Sequence, residues 1–389
     1  MKRSLTLLAS FAFGLVVLVP ARAQQFQSGS NGSYGPIDLT AADATLELPP
    51  DGIFQCTTIN VGAGRTLRFT RNALNTPVIL LATGDITIAG TIDVSGLRGT
   101  SLVAGAGGPG GFDGGAPGSA GLPAGDGQGP GGGKAGLFVS GNDSPGAASY
   151  SDQPGFSPTA KRGAIYGSPL LQPVVGGSGG GGAAGSPGWG GGGGGGAILI
   201  ASSTRISITG KIWAVGGGGY NSGVLNSGSG GAIRLVAPIV TGTGGLEVGG
   251  WNGNGGRGDG RARIDALDRS GLSLAINPGA AGSVGGVMMV FPSPAPRLDI
   301  VAAAGRAIAV DSGPVSLTLP FGTSPNQTIQ VRARDFGQVV PIRVVLTPDN
   351  GSAATFDAQI DNTSANPAEV TVPVVFPLNI LTHVQVWTR

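Results

Sequence analysis

The chain has 389 residues, of which 76 are glycine, one is cysteine and one is histidine, and its net charge is +2. Only 11% of the residues are charged, against about 25% in ordinary domains. No basic stripe exists to neutralise phosphates, which argues against nucleic acid as a partner. A single cysteine excludes an internal disulfide, and one His with one Cys excludes a metal site built on several of either. The glycine content excludes long helices, because each interior glycine costs a helix about 1 kcal/mol.

At the N-terminus Lys2 and Arg3 precede an apolar run from Leu5 to Leu18, followed by Ala21-Arg22-Ala23. This predicts a signal peptide over 1–23 with an A-x-A cleavage site, since the run is too short to span a bilayer comfortably. The mature chain then begins at Gln24 and is exported to the periplasm, cell surface or extracellular space. It carries no later apolar stretch of membrane-spanning length. Cys56 does not follow the signal peptide, so a lipid anchor is not expected. It reads as a small buried hydrophobe.

Residues 24–291 read as a glycine-rich β domain. Ala44, Leu46 and Leu48 alternate before the turn Pro49-Pro50-Asp51-Gly52. Three stretches then repeat one pattern: Val78 to Gly96, Ala197 to Gly217 and Ala232 to Gly250. Ile86, Ile88, Ile92 and Val94 fall at the places of Ile206, Ile208, Ile212 and Ala214, and of Ile233, Leu235, Leu246 and Val248. The period of two is that of strands. A weaker copy lies at Thr57 to Phe69 and a fragment at Ala262 to Ala266. Short strands that cannot bury a face alone imply stacking, so the expectation is an all-β parallel β-helix, a solenoid with glycine-rich loop insertions.

The insertions are 97–134, 176–196 and 216–231, with an irregular, proline-broken segment over 135–175. Their glycines do not recur at every third position, so collagen is not expected. Extended polyglycine helices packed side by side are one reading. Disorder or a surface excursion is the default, because so little apolar area cannot offset the ordering entropy.

The composition changes at 292–296, a Pro-rich linker. Beyond it Val315, Leu317 and Leu319 alternate, as do Val340, Ile342 and Val344, then Val370, Val372 and Val374, then Val384 and Val386. About seven short strands with turn signals between them predict a small C-terminal β-sandwich over 297–389.

The run Leu48 to Gly96, the GGAIRLVAP of Gly230 to Pro238 and the GDGRARIDA of Gly258 to Ala266 resemble a module of uncharacterised exported bacterial glycine-rich proteins. Those proteins are similar to right-handed parallel β-helices. The resemblance covers roughly residues 45–270 and implies a fold but no activity. The β-helix also resembles the scaffold of pectate lyases, yet no cluster of acidic calcium ligands with a positioned Arg or Lys is present.

Several motifs fail on context. Gly105 to Gly110 matches GxGxxG but opens no helix. Gly133-Lys134-Ala135 lacks the Ser/Thr of a phosphate loop. Arg257-Gly258-Asp259 is a receptor-type tripeptide that reads more simply as the opening of the next coil. Gly107 to Asp113 and Gly255 to Asp259 approach the calcium nonapeptide, with each Asp displaced by one residue. His383 is the only imidazole and lies among strand residues near the C-terminus. The carboxylates Asp85, Asp93, Glu247 and Asp265 are spread singly across the repeats. Trp189, Trp213, Tyr220 and Trp251 lie in or beside glycine-rich loops, where aromatics either stack on sugar rings or cover an edge.

The resulting expectation is a non-catalytic exported protein for adhesion or matrix contact, without catalytic residues, metal or cofactor. Its partners would be polysaccharide or cell-surface components. The alternatives are a β-helix polysaccharide lyase or hydrolase, and a carbohydrate-binding module on Trp189, Trp213, Tyr220 and Trp251.

Overall fold

The structure is a computed structural model and describes residues 25–119, 121–139, 141–219, 226–251 and 258–389. The expected signal peptide and Tyr220 lie outside these residues. No α-helix is present among the described residues; the chain is all-β.

The N-terminal half contains β1 (Gly35–Leu39), β2 (Ala44–Glu47), β3 (Ile53–Val61), β4 (Thr66–Thr70), β5 (Val78–Ala82), β6 (Ile86–Ile88) and β7 (Thr91–Asp93). After two short strands, β8 (Gly136–Leu137) and β9 (Ala183–Ala184), come β10 (Ala197–Ser202), β11 (Arg205–Ile208), β12 (Lys211–Trp213) and β13 (Ala232–Thr241). They are followed by β14 (Gly245–Glu247), β15 (Arg261–Asp268), β16 (Ala275–Asn277) and β17 (Gly282–Gly285).

The expected parallel β-helix of uniform stacked coils is overturned by the strand pairing. Around the core the parallel ladders close on themselves: β5 pairs β3, β3 pairs β6, β6 pairs β11, β11 pairs β13, β13 pairs β10, and β10 returns to β5. This is a closed six-stranded parallel barrel core. Its cause is strand length. At 9 and 10 residues, β3 and β13 each serve two of the ring's ladders on one edge and a third ladder on the other. Ile53 to Cys56 pair with β5, while Ile59 to Val61 pair with β6. The sequence repeat marks short strands of equal rank and carries no sign of that double duty. Strands β1, β15 and β17 extend the sheet beyond the ring, and a second parallel sheet runs β16-β14-β12-β7-β4-β2.

The first two copies of the repeat lie side by side in register, whereas in the third Ile233 and Leu235 face Ile198 and Ile200, and it is Val240 that faces Ile206. Ile206 faces Ile86, Ile208 faces Ile88, and Ile212 faces Ile92. All are fully buried in one core with Val61, Leu67, Leu80, Ile200, Leu235 and Leu246. Cys56 is buried among them, and burial pushes its thiol up to about 12, so it packs as an apolar group.

On the other face of the large sheet, Leu81, Leu199, Ala201 and Val236 are covered by Val290, with Phe26 and Met288 packed beside them. Chain laid over a sheet must satisfy its backbone groups. Arg234, fully buried, donates to Met289 O at 2.7 Å, and Asp265 Oδ1 accepts from Val287 N at 3.0 Å. Asp265 is itself held by Arg263 at 2.8 Å and Arg234 at 3.3 Å. Burial lowers the Arg234 pKa, and the Asp265 carboxylate opposes that shift.

The glycine-rich segments are ordered into a bundle, which corrects the expectation of disorder. Gly190, Gly193 and Gly196 donate their N–H groups to Thr100, Leu97 and Val94. Gly191, Gly194 and Ala197 donate to Gly115, Phe112 and Pro109, and Gly192 and Gly195 to Asn226 and Ser229. Partners that change with a period of three fit extended helices of the polyproline II kind, with three residues per turn and about 3.1 Å rise. The segment 190–197 donates to three neighbouring segments and accepts from others, among them Gly105, Gly177 and Gly217, unlike the three-chain rope of collagen. Glycine is required because the neighbours touch backbone to backbone. A Cβ on Gly191 would lie inside 3.0 Å of Gly180 O, and one on Gly194 inside 3.0 Å of Gly177 O.

The irregular segment before the second glycine stretch pins the bundle with aromatics. Tyr150 and Tyr166 stack at 4.4 Å and donate to Val175 O and Gly176 O. Both phenols are pushed up in pKa by burial.

Beyond 296 the chain forms antiparallel sheets. Strands β18 (Arg297–Ala303), β19 (Arg306–Ala307), β20 (Asn326–Arg334) and β23 (Ala368–Val375) make one, in the order β19-β18-β20-β23. Strands β21 (Val339–Pro348), β22 (Ala354–Asp361) and β24 (Thr382–Thr388) make the other, in the order β22-β21-β24. Ile329, Val331 and Val372 of the first share a core with Ile342, Val344 and Ile360 of the second.

Contacts besides the chain itself join this part to the bundle. Gly125 and Gly351 form a parallel bridge, and Gly351 N donates to Ala124 O. The Asp126 carboxylate accepts from Lys134 Nζ at 3.0 Å, Ala135 N at 2.7 Å and Ala353 N at 2.9 Å.

Candidate functional site

The segments of the bundle run out from the sheets, turn, and come back, so their turns collect at one end. Thr100 N bonds Val103 O across one turn, and Ser119 bridges Leu122 across the next. Gly118 bridges Ala184, Leu137 pairs with Ala184, and Thr100 O accepts from Gly190 N. These bonds place Thr100 and Val103, Ser119 and Leu122, Leu137, and the turn near 184–189 side by side. The surface they present carries exposed apolar side chains among serines and threonine, with Arg98 and Asp143 also exposed. Leu102 is 84% exposed, and Val103, Leu122, Leu137 and Val139 are also exposed. Ser101, Gly118, Ser119, Ser186 and Pro187 line a shallow depression between them.

Trp189 stands at this end. Its ring stacks on Phe138 at 6.4 Å, and its Nε1 donates to Gly99 O at 3.0 Å. The exposed Arg98 places its guanidinium 5.9 Å from the Trp189 ring centre and 5.8 Å from that of Trp251. The structure therefore brings two of the four sequence-predicted aromatics together, around a cation the sequence reading passed over. Its signal was weak, a single Arg ahead of a glycine run. Trp251 also closes over the backbone at Gly218.

Trp213 lies apart from that pair, on the outer face of the six-stranded sheet. Its register row reads Asn277, Glu247, Trp213, Asp93, Arg68 and Thr45 on successive strands. Inward-facing Ile276, Leu246, Ile212, Ile92 and Leu67 hold the sheet to the core. Side-chain alternation forces the row outward. Asp93 meets Arg68 at 3.5 Å, Glu247 meets Lys211 at 3.5 Å, and Asn277 Nδ2 donates to Glu247 Oε2 at 2.7 Å.

The remaining candidates separate. Asp85 accepts from Thr204 Oγ1 at 2.5 Å, and Asp265 is fully buried in its arginine cluster. Asp259 is buried and its backbone N donates to Asp152, so the receptor-type tripeptide does not present its acid; Arg257 lies outside the described residues. Asp113 is held by Arg71 and Gly107 N. Gly105 and Gly108 are spent on bonds to Gly191 and Gly194. His383 pairs with Asp349 at 3.2 Å on the C-terminal sheets. Among the described residues no group of three or more His, Cys, Asp or Glu is placed to hold a metal ion, and no helix is long and apolar enough to cross a membrane.

No family model, curated protein or solved structure matches this chain.

Proposed function

We propose that this is a non-catalytic exported protein that makes adhesive or matrix contacts at a cell surface, using the turn-bearing end of its glycine bundle. The observation that carries the reading is the set of exposed apolar side chains Leu102, Val103, Leu122, Leu137 and Val139 on turns whose backbone is fixed by hydrogen bonds. Exposed apolar side chains gathered on neighbouring turns mark contact surfaces. A bundle held backbone to backbone loses little entropy when that surface engages, which favours binding. The Lys2–Ala23 segment and the resemblance to exported glycine-rich proteins support export.

The test compares the mature protein with a Leu102→Ser, Val103→Ser double variant for retention on the producing cell and on extracellular matrix. Retention should fall sharply in the variant while the melting temperature stays put, since both side chains are solvent-facing. Equal retention of the two proteins would reject the reading.

A further inference from the structure

A second surface is chemically unlike the first. The outer row of the six-stranded sheet carries one large aromatic, Trp213, 36% exposed. It stands between Asp93 and Glu247 on the two neighbouring strands. Adjacent strands lie about 4.8 Å apart, so the two acids bracket the indole at about 10 Å from each other in the backbone. Asp93 is paired with Arg68 on the strand beyond it, and Glu247 with Lys211 on the strand of Trp213 itself. In the row itself Arg68 gives +1 and Asp93 and Glu247 give −2; Lys211, two residues before Trp213 on the same strand, brings the patch around the row to zero. Asn277 and Thr45 close its ends with uncharged polar groups.

We infer that this row is a binding site for a neutral polysaccharide chain lying across the strands, with one sugar ring on Trp213 and its neighbours' hydroxyls on Asp93 and Glu247. Four observations select that occupant. An apolar partner would find a single large apolar side chain among charges. A nucleic acid or a uronate polymer would meet a row without net positive charge, and the carboxylates would repel it. Sugars offer an apolar ring face to the indole and a belt of hydroxyls to ionised acceptors, whose hydrogen bonds are stronger than those of neutral groups. The strand spacing sets acceptors and donors at intervals comparable with the length of one pyranose. The carboxylates need no movement to serve: Asp93 accepts from Arg68 and Ser95 N, and Glu247 from Lys211 and Asn277 Nδ2, which leaves each about two of its four acceptor positions. The site rests on Trp213 and its row and is independent of the bundle end, so either reading survives failure of the other.

The experiment is affinity electrophoresis of the mature chain in gels containing a soluble β-glucan, xylan or mannan, with polygalacturonate as the charged comparison. At least one neutral polymer should retard the protein and polygalacturonate should not. Trp213→Ala should weaken the retardation about tenfold or more, as for a central aromatic anchor. An Asp93→Asn, Glu247→Gln double variant should weaken it less, and Trp189→Ala should leave it unchanged. Melting temperatures of the variants confirm that the fold persists. Absence of retardation by all three neutral polymers, an unaltered Trp213→Ala variant, equal loss in Trp189→Ala, or stronger retardation by polygalacturonate would each overturn the inference.

Discussion

The glycine bundle and the C-terminal antiparallel sheets solve one problem by opposite means. In the sheets, side chains exclude water: Ile329, Val331, Ile342, Val344 and Ile360 fill the space between two layers. Sheets stacked face to face stand about 10 Å apart to make room for them. In the bundle there are hardly any side chains to bury. Segments approach until backbone touches backbone, and donors such as those of Gly190 to Gly196 point by threes at surrounding carbonyls. Glycine loses more conformational freedom on folding than any other residue. The compensation is close packing and a full set of backbone hydrogen bonds. Ordinary sheets tolerate many side chains at each place; the bundle admits a few, such as Ser178 and Ser229, and none where a Cβ would meet backbone, as at Gly191 and Gly194.

The largest effect should follow from one methine in the bundle. Gly194→Val introduces a branched Cβ into the space of Gly177 O. The segments cannot part without losing bonds on three sides, so we expect loss of the cooperative thermal transition of the N-terminal region. Gly155→Ala, where nothing lies within 4 Å of the added carbon, should be silent. A Gly194→Val protein that melts like the wild type would break the comparison.

In the antiparallel sheets the corresponding injury is removal. Ile342 is fully buried on β21, and Ile342→Ala should cost about 2–5 kcal/mol through lost transfer energy and a residual cavity. Denaturant unfolding of the full chain should show that loss in the transition of the C-terminal sheets and leave the transition of the bundle in place. A shift of both by the same amount would show that the two regions unfold as one.

The smallest effect should arise where the regions meet. Asp126→Ala strips the acceptor from Ala135 N and Ala353 N and unpairs Lys134. Both donors are half-buried, so the loss should fall toward or below the low end of the about 1–3 kcal/mol that a fully buried unsatisfied donor costs. Limited proteolysis across 292–296 should accelerate in this variant, because the bridge between Gly125 and Gly351 loses its flanking bond. Unchanged cleavage would mean that backbone bonding alone holds the regions together.

Much of the strand content was legible. The alternation at Ile86, Ile88 and Ile92, and its copy at Ile206, Ile208 and Ile212, named inward-facing residues that the structure buries side by side. The site was legible only in fragments. Trp189, Trp213 and Trp251 could be singled out as aromatics beside glycine. That Trp189 and Trp251 share Arg98, while Trp213 stands between two acids, depends on which strands become neighbours.

By itself, then, the sequence determined the β character, the faces of the short strands and the change in composition at 292–296, because these follow from the period of side chains along one segment. Only the tertiary structure decided that the parallel ladders close into a ring and that the glycine runs are a bonded bundle. The reason is physical. Ring closure depends on β3 and β13 each serving two partners. A glycine segment has no side-chain pattern to read, and its order comes entirely from hydrogen bonds to segments distant in the chain.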